Sequence, residues 1–467
     1  MSITSQQALA DLWLSAGLGT EALNRLSLSG VDPVLRSSFR VGTAAQVSLA
    51  CAALAAAELG RLRNGVHQDV HVDMREAALE CCGHFTVDGA APNVWDPLAG
   101  LYPCDHRDGQ SWVRLHTNFA HHRDGVLKLL GVPLGAGTDR GALLAALSRW
   151  TANDFEAAAT DAGLVVAALR THASWLGHPQ AAAVAGLPLV EITRIGDAPP
   201  LPWPALPGSA RPLDGLRVLE LTRILAGPVA GRTLAAYGAD VLLVNSPHLP
   251  NIDAIADTSR GKRSALADLR GEVGRDALRH VLGGAHVFLQ GYRPGSLAAL
   301  GFGAERVAAL RPGIVCASLS AYGRLGPWAG KRGFDSLVQT ATGFNDDEGR
   351  AFGVVAKPLP MQILDMATGF LLAFGTAAAL TRQRQEGGSW HVQVSLARTG
   401  QWLRELGRVE HGFDAPAPDF TAQLETSASG FGQLVALRHA ARFSITPAGY
   451  ARPSVRPGSD AMAWPTA

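Results

Sequence analysis

The sequence is short of several things, and each shortage excludes a class of protein. Cysteine is scarce: Cys51, Cys81, Cys82, Cys104 and Cys316 are the only five in 467 residues. Their number is odd, no C-x-x-C pair occurs and no Cys/His cluster has zinc spacing. They read as reduced structural thiols, and no metal site is expected. Neither sign of charge is in excess, since 41 Lys+Arg against 40 Asp+Glu leave a formal charge of +1. Nothing therefore argues for nucleic acid or a membrane surface as partner. The opening stretch MSITSQQALADLWLSAGL has no basic leader and carries Asp11 inside its apolar part. It does not read as a signal peptide, and the expected location is the cytoplasm. The longest apolar helices, near 43–59 and 366–381, are rich in Ala and Gly and read as buried core helices rather than membrane spans. A hydrophobic content of 47% with 17% charged residues excludes a disordered chain.

What is present divides into two halves. Residues 1–90 read as amphipathic helices with a Gly17–Gly19 joint, a small-residue helix over 43–62, a strand over 67–74 and a helix from Arg75 to Phe85. Residues 95–190 are richer in aromatics, His and Asp and read as a small α+β domain. In that domain a hairpin turn is expected at Asp108-Gly109, helices over 143–150, after Asn153 and across the 158–175 region, and then a helix and an exit strand over 178–192. GDAPPLPWPALPGSARP, 196–212, is proline-dense enough to be an extended, semi-rigid linker. Residues 213–400 alternate strands and helices, which predicts a Rossmann-like parallel sheet with right-handed crossovers. The remaining 401–467 form a Pro-, Ser- and Ala-rich tail with one expected helix near 431–443. The fold class is therefore α/β, a Rossmann-like large domain plus a small α+β domain. An internal echo runs through it: AELGRLRNGVHQDVHVDMREAAL (57–79) parallels AALTRQRQEGGSWHVQVSLARTG (378–400), each a helix, a basic pair, a Gly turn, an alternating strand and a helix.

The centre of the second half is LDGLRVLELTRILAGPVAGRTLAAYGADVLLVNSP, 213–247. Leu216–Leu221 reads as a buried strand, Pro228 as the opening of a helix that Gly238 closes, and Val241–Val244 as a second strand. A ligand is expected at the carboxyl end of the first strand. No GxGxxG fingerprint is present, so the unit does not read as a dinucleotide site.

Six motifs in order, LRVLELTRILAGP, YGADVLLV, SRGKRSALADLR, FLQGYRPGSLAALGFG, GFDSLVQTATG and LDMATG, resemble family III CoA-transferases, the family that includes formyl-CoA transferase, carnitine CoA-transferase and the α-methylacyl-CoA racemases. The N-terminal half resembles the later portion of the same family, so the order reads as a permuted chain or the remainder of a fused duplicate. The resemblance implies an enzyme that moves CoA from an acyl-CoA donor to a small carboxylic acid. It implies coenzyme A as substrate with no permanently bound cofactor, and homodimers of interlocked chains, with a heteromer as the other possibility. It places the nucleophilic carboxylate at Asp365. The implied route is a mixed anhydride, then an aspartyl-CoA thioester, then transfer of CoA to the acceptor acid. A carboxylate in the first turn of a helix is expected to stay ionised; the structural alternative is a plain N-cap aspartate. Asp335 is a second acid that either assists at the site or caps the helix after it. For CoA, the resemblance points to the turn Ile224, Leu225 and Ala226 for the pantetheine arm, to Gly291, Tyr292 and Arg293 for the adenine and phosphates, and to Arg270 and Arg332 as further cations. For each arginine the alternative is a solvated surface charge, and the run Arg260, Lys262 and Arg263 reads mostly as a solvated face.

The racemase branch carries His where Phe334 stands, which argues against proton abstraction at the α-carbon. A racemase, and a non-catalytic subunit of a heteromeric transferase, remain the competing readings. The echo in the first half has Thr43 but no acid over Arg40–Ala45, so at most one copy is catalytic. His116, His121 and His122 cluster in the small domain without the further ligands a metal needs.

Overall fold

The computed structural model describes residues 3–105 and 112–465. The expected turn at Asp108-Gly109 lies outside the described residues. Two helices of 24 residues, Val41–Asn64 and Ile363–Glu386, form the centre of the molecule. Both are long and apolar enough to cross a membrane, and both are buried inside the protein. They pack against each other along their length. A third helix, Ala226–Ala236, packs on the second of them, and every one of its residues is buried. Small side chains let these helices approach closely. A Cβ on Gly369 would stand 2.6 Å from the carbonyl oxygen of Ala226 and 2.9 Å from Val229.

A seven-stranded sheet lies beside the second long helix, in the order Lys262–Leu266, Asp240–Asn245, Arg217–Leu221, Val287–Gln290, Val315–Ser320, Ser389–Ser395 and Glu191–Gly196. The first six are parallel, and Glu191–Gly196 closes the edge antiparallel to Ser389–Ser395. Continuous apolar runs such as Val241–Val244 suit strands covered on both faces. The strand order reverses between Arg217–Leu221 and Val287–Gln290, so a crevice opens at their carboxyl ends. Val315–Ser320, Ser389–Ser395 and both long helices form where the sequence predicts them.

The small domain is a three-stranded antiparallel sheet, Gly100–Pro103, Trp112–Leu115 and Val166–Ala168, covered by short helices. Val166–Ala168 falls in the 158–175 region where helix is expected. It is a strand because it pairs with Trp112–Leu115 and buries all three residues.

The tail departs most from expectation. Instead of a helix near 431–443 there is a hairpin, Leu424–Ser429 with Gly432–Leu437, and then the strand Ala441–Phe443. Ala441 and Phe443 are buried and Arg442 is exposed, the alternation of a strand with one covered face. Ala441–Phe443 satisfies an open edge by pairing antiparallel with Val70–Asp73. The linker has no regular element, as expected, but it is not a free spacer. Arg63 donates to the carbonyls of Pro204, Pro212 and Asp214 at 3.1, 2.8 and 2.7 Å. Trp203 lies under both Arg63 and Arg384, each 5.9 Å from its ring.

The close approach at Gly369 gives a stability test. Gly369→Ala is expected to lose about 1–3 kcal/mol, because the clash is with backbone that cannot swing away. Gly330→Ala, where a new Cβ meets nothing within 4 Å, is the control and is expected to stay within about 0.5 kcal/mol of the parent. Urea unfolding midpoints at unchanged slope measure both.

Candidate active site

Asp335 begins the short helix Asp335–Ala341 and is fully buried. It does not cap that helix; it caps the second long helix. One of its oxygens accepts the Asp365 N–H at 2.9 Å, and the Leu364 N–H also donates to this carboxylate. Gln339 donates its side-chain amide to Asp335 and accepts the Leu359 N–H at 2.9 Å. The approach to the long helix is thereby fixed, and with it the direction of Asp365, the third residue of that helix.

Asp365 is 8% exposed and lines a cavity of about 320 Å³. Ile224, Gly291, Tyr292, Arg293, Arg332 and Phe334 line it from the second half, with Phe119, His121, His122 and Val165 from the small domain. Of the residues expected for CoA, Ile224, Gly291, Tyr292, Arg293 and Arg332 thus share one cavity with Asp365. Leu225 and Ala226 are off its lining; Ala226 is the buried first residue of its helix. That helix begins two residues before Pro228. Arg270 is also off the lining, exposed, and held by two hydrogen bonds of 2.9 Å to Asp268. Ile224 carries a φ of 77°. A β-branched residue in the left-handed region is strained, and here the strain sits on the cavity wall.

Burial sets the electrostatics. It raises the proton affinity of both Asp335 and Asp365, and the charge of Asp335 raises Asp365 further. Asp335 has three hydrogen-bond donors and faces Arg114, which favour its charged form, while Asp365 is pushed well above the ordinary carboxylate range. The helix position alone suggests an ionised Asp365; burial and the Asp335 charge act in the opposite direction. His122 and His116 are driven down to about 3, by burial first and then by neighbouring cationic groups, and are neutral.

The small domain's wall is the part the sequence did not assign. His116 stacks on Phe334 with centroids 4.0 Å apart, and Phe119 lies 6.2 Å from Phe334. Arg332 donates to the carbonyl of Gly163 at 2.8 Å, and Arg223 lies over the Phe119 ring. The cluster of His116, His121 and His122 was the available signal; position 334 lacks an imidazole, but the cavity does not. Among the described residues no group of three or more His, Cys, Asp or Glu could hold a metal ion. The basic run 260–263 is not a solvated face. Lys262 is wholly buried and pairs with wholly buried Glu220 at 2.8 Å, donating also to the Pro228 carbonyl at 2.8 Å. Arg260 is buried beside Asp257 and donates to Glu425 at 3.1 Å. A second cavity, about 220 Å³, lies on the other side of the Arg293–Pro294 turn, where Ser318 and His391 are 2.6 Å apart.

Residues 213–429 match CoA-transferase family III. A probable fatty acyl-CoA transferase of Mycobacterium tuberculosis is 32% identical over 234 residues, 45% of this chain and 58% of that protein. The succinate–glutarate CoA-transferase of Agrobacterium fabrum is 32% identical over 210 residues, 41% and 52% of the two chains. The formyl-CoA:oxalate CoA-transferase of Streptomyces coelicolor is 30% identical over 252 residues, 48% and 60%. The chain thus spans 52% to 60% of the length of these relatives. A solved CAIB/BAIF family protein from Brucella suis is 28% identical over 48% of this chain and 65% of its own, with a TM-score of 0.38. The matched segment holds the Ile224 turn, the Gly291–Arg293 turn, Asp335 and Asp365, and over residues 213–429 the chain is similar to CoA-transferase family III.

Proposed function

We propose that the protein is a CoA-transferase that moves CoA from an acyl-CoA to a carboxylic acid, with Asp365 as the nucleophile. The observation that carries this reading is a nearly buried carboxylate lining a cavity, with a second carboxylate fixed behind it and arginines on the opposite walls. Asp365 loses its proton and its carboxylate attacks the thioester carbonyl. The C–S bond breaks, CoA thiolate leaves and an aspartyl–acyl anhydride forms. The thiolate attacks the aspartyl carbonyl, which releases the donor acid and leaves an aspartyl-CoA thioester. The acceptor carboxylate attacks that thioester, the thiolate leaves again, and its attack on the acceptor carbonyl gives the new acyl-CoA and restores Asp365. No net proton or electron is consumed. Arg293 and Arg332 meet the phosphates of CoA, and Arg223 lies beside them. The strained Ile224 turn supports the pantetheine arm. Asp335 is a positioning residue, since it holds the amide of Asp365 and touches no substrate in this scheme. Neutral imidazoles whose conjugate acids sit near 3 are weak bases, which disfavours a racemase.

Acyl-CoA followed by hydroxylamine is expected to leave a hydroxamate on Asp365, seen by peptide mass spectrometry. Asp365→Asn is expected to lose all turnover while still binding CoA in equilibrium dialysis; full activity in that variant sinks the proposal.

The raised affinity of Asp365 for its proton also predicts pH effects. The nucleophile is the deprotonated form, so kcat/KM is expected to rise with pH along an acid limb well above the ordinary aspartate value of about 3.9. Asp335→Asn removes the neighbouring charge and is expected to move that limb toward acid, a shift that a purely structural role would not produce. Stability runs the other way. A carboxyl whose affinity for its proton is raised by folding favours the folded state below its unfolded value, and this contribution is lost as pH rises through the folded value. Asp365→Asn, which mimics the protonated form, is therefore expected to gain on the order of 1 kcal/mol over the parent at pH 8 and nothing at pH 4 in urea unfolding.

A further inference from the structure

The two long helices are equivalent in more than length. Their N-cap residues, Arg40 and Gln362, have nearly the same torsions, φ −77° with ψ 59° and φ −78° with ψ 60°. Each helix start is held by a remote aspartate. Asp32 accepts the N–H groups of Gly42 and Thr43 at 3.1 and 2.9 Å, as Asp335 accepts those of Leu364 and Asp365. A glycine with positive φ, Gly65 or Gly387, follows each helix. A strand comes next, Val70–Asp73 or Ser389–Ser395, and then a short helix capped by Asp73 or Ser395. Each strand has one parallel neighbour, Leu26–Ser29 or Val315–Ser320, and one antiparallel neighbour.

The antiparallel neighbours are exchanged. Glu191–Gly196, which follows the small domain of the first half, completes the sheet of the second. Ala441–Phe443, at the end of the second half, completes the sheet of the first. Between helix Leu396–Glu405 and Ala441 the second half has two three-residue 3-10 turns, Gly412–Asp414 and Thr421–Gln423, and a short hairpin, with no counterpart of the small domain. The third helix position is Thr43 in the first copy, and its hydroxyl bonds to Asp32 at 2.7 Å.

We infer that the catalytic cleft is closed in cis. The first half takes the place of a second subunit, each chain holds one complete cleft, and the counterpart position at Thr43 is silent. The first long helix packs along the second, in which every residue from Ile363 to Thr381 is buried. The small domain reaches the cleft within the same chain, through Phe119 against Phe334 and the 2.9 Å pair of Lys331 with Glu156. Arg63 and Trp203 tie the linker to both long helices, which fixes the connection between the halves. The identity of the nucleophile rests on the transferase reading; the closure in cis does not.

The test uses the full chain. Phe119→Cys and Phe334→Cys are placed together in one chain, and separately on two co-expressed chains with different tags. A short bis-maleimide is then added; four of the five native cysteines are buried, and the parent chain controls for the fifth. The double variant is expected to bridge within a monomer, and the co-expressed pair to give no covalent heterodimer. A heterodimer carrying both tags, or no bridge in the double variant, overturns the inference whether or not the protein is a transferase. A second arm reads turnover: co-expressed Asp365→Asn and His122→Trp chains are expected to stay inactive, because no mixture rebuilds a cleft in cis. Recovered activity in that mixture overturns the inference as well.

Discussion

The structure depends on how closely two alanine-rich helices can lie against each other and against their neighbour. A helix can bury its entire circumference only where its side chains are small enough for other backbones to approach, and the absence of a Cβ at Gly369 is what admits the Ala226 carbonyl at close range. The geometry of the cleft inherits this constraint. Asp365 stands one turn from Gly369 on the same helix, and Ile224 precedes the helix that Gly369 touches. The carboxylate and the turn that faces it are thus placed by one packing contact. The sparing use of large side chains over 41–64 and 363–386 is a requirement of the site as well as of the core.

Buried charge adds a second layer of specification. Lys262 and Glu220 are both without exposure, and Gly231 leaves room for them, since a Cβ there would fall 1.9 Å from Glu220. Arg232, on the same helix, pairs with Asp257 of its own half and with Glu80 of the other half at 3.3 Å. His439 and Ala440 from the tail donate to Glu80 as well, at 3.0 and 2.8 Å. Such pairs are weak sources of net stability, because desolvation offsets most of the attraction, but removing one partner leaves an unpaired buried charge. Their effect is to permit one arrangement of helix, tail and first half and to penalise others.

Much of the second half was legible because its signals are local. A run such as Val241–Val244 reads as a buried strand wherever it occurs, and the long apolar helix near 366–381 is visible from its composition. The motif points to Asp365, but its raised affinity for a proton is not legible there, because position in a helix turn is local while desolvation depends on the whole enclosing shell. Lys262 shows the same limit. Within a basic run it resembles its solvated neighbours, and its partner Glu220 lies 42 residues away. The tail strand Ala441–Phe443 exists to close an edge formed by residues near 70, and nothing in its own composition announces that. The cavity wall from Phe119 to His122 faces Phe334 and Asp365 from more than 200 positions away, beyond the range of any periodicity.

The exchanged strands carry a consequence for how the protein loosens. A domain whose sheet is complete can open alone and leave its neighbour intact. Here Glu191–Gly196 and Ala441–Phe443 each complete the sheet of the other half, so opening one half strips an edge strand from its neighbour. The exchange couples the opening of the two halves in spite of a proline-rich segment that, by composition, resembles a domain boundary. Loss of Ala441–Phe443 from the tail would reopen the edge at Val70–Asp73, in the sheet beside the first long helix.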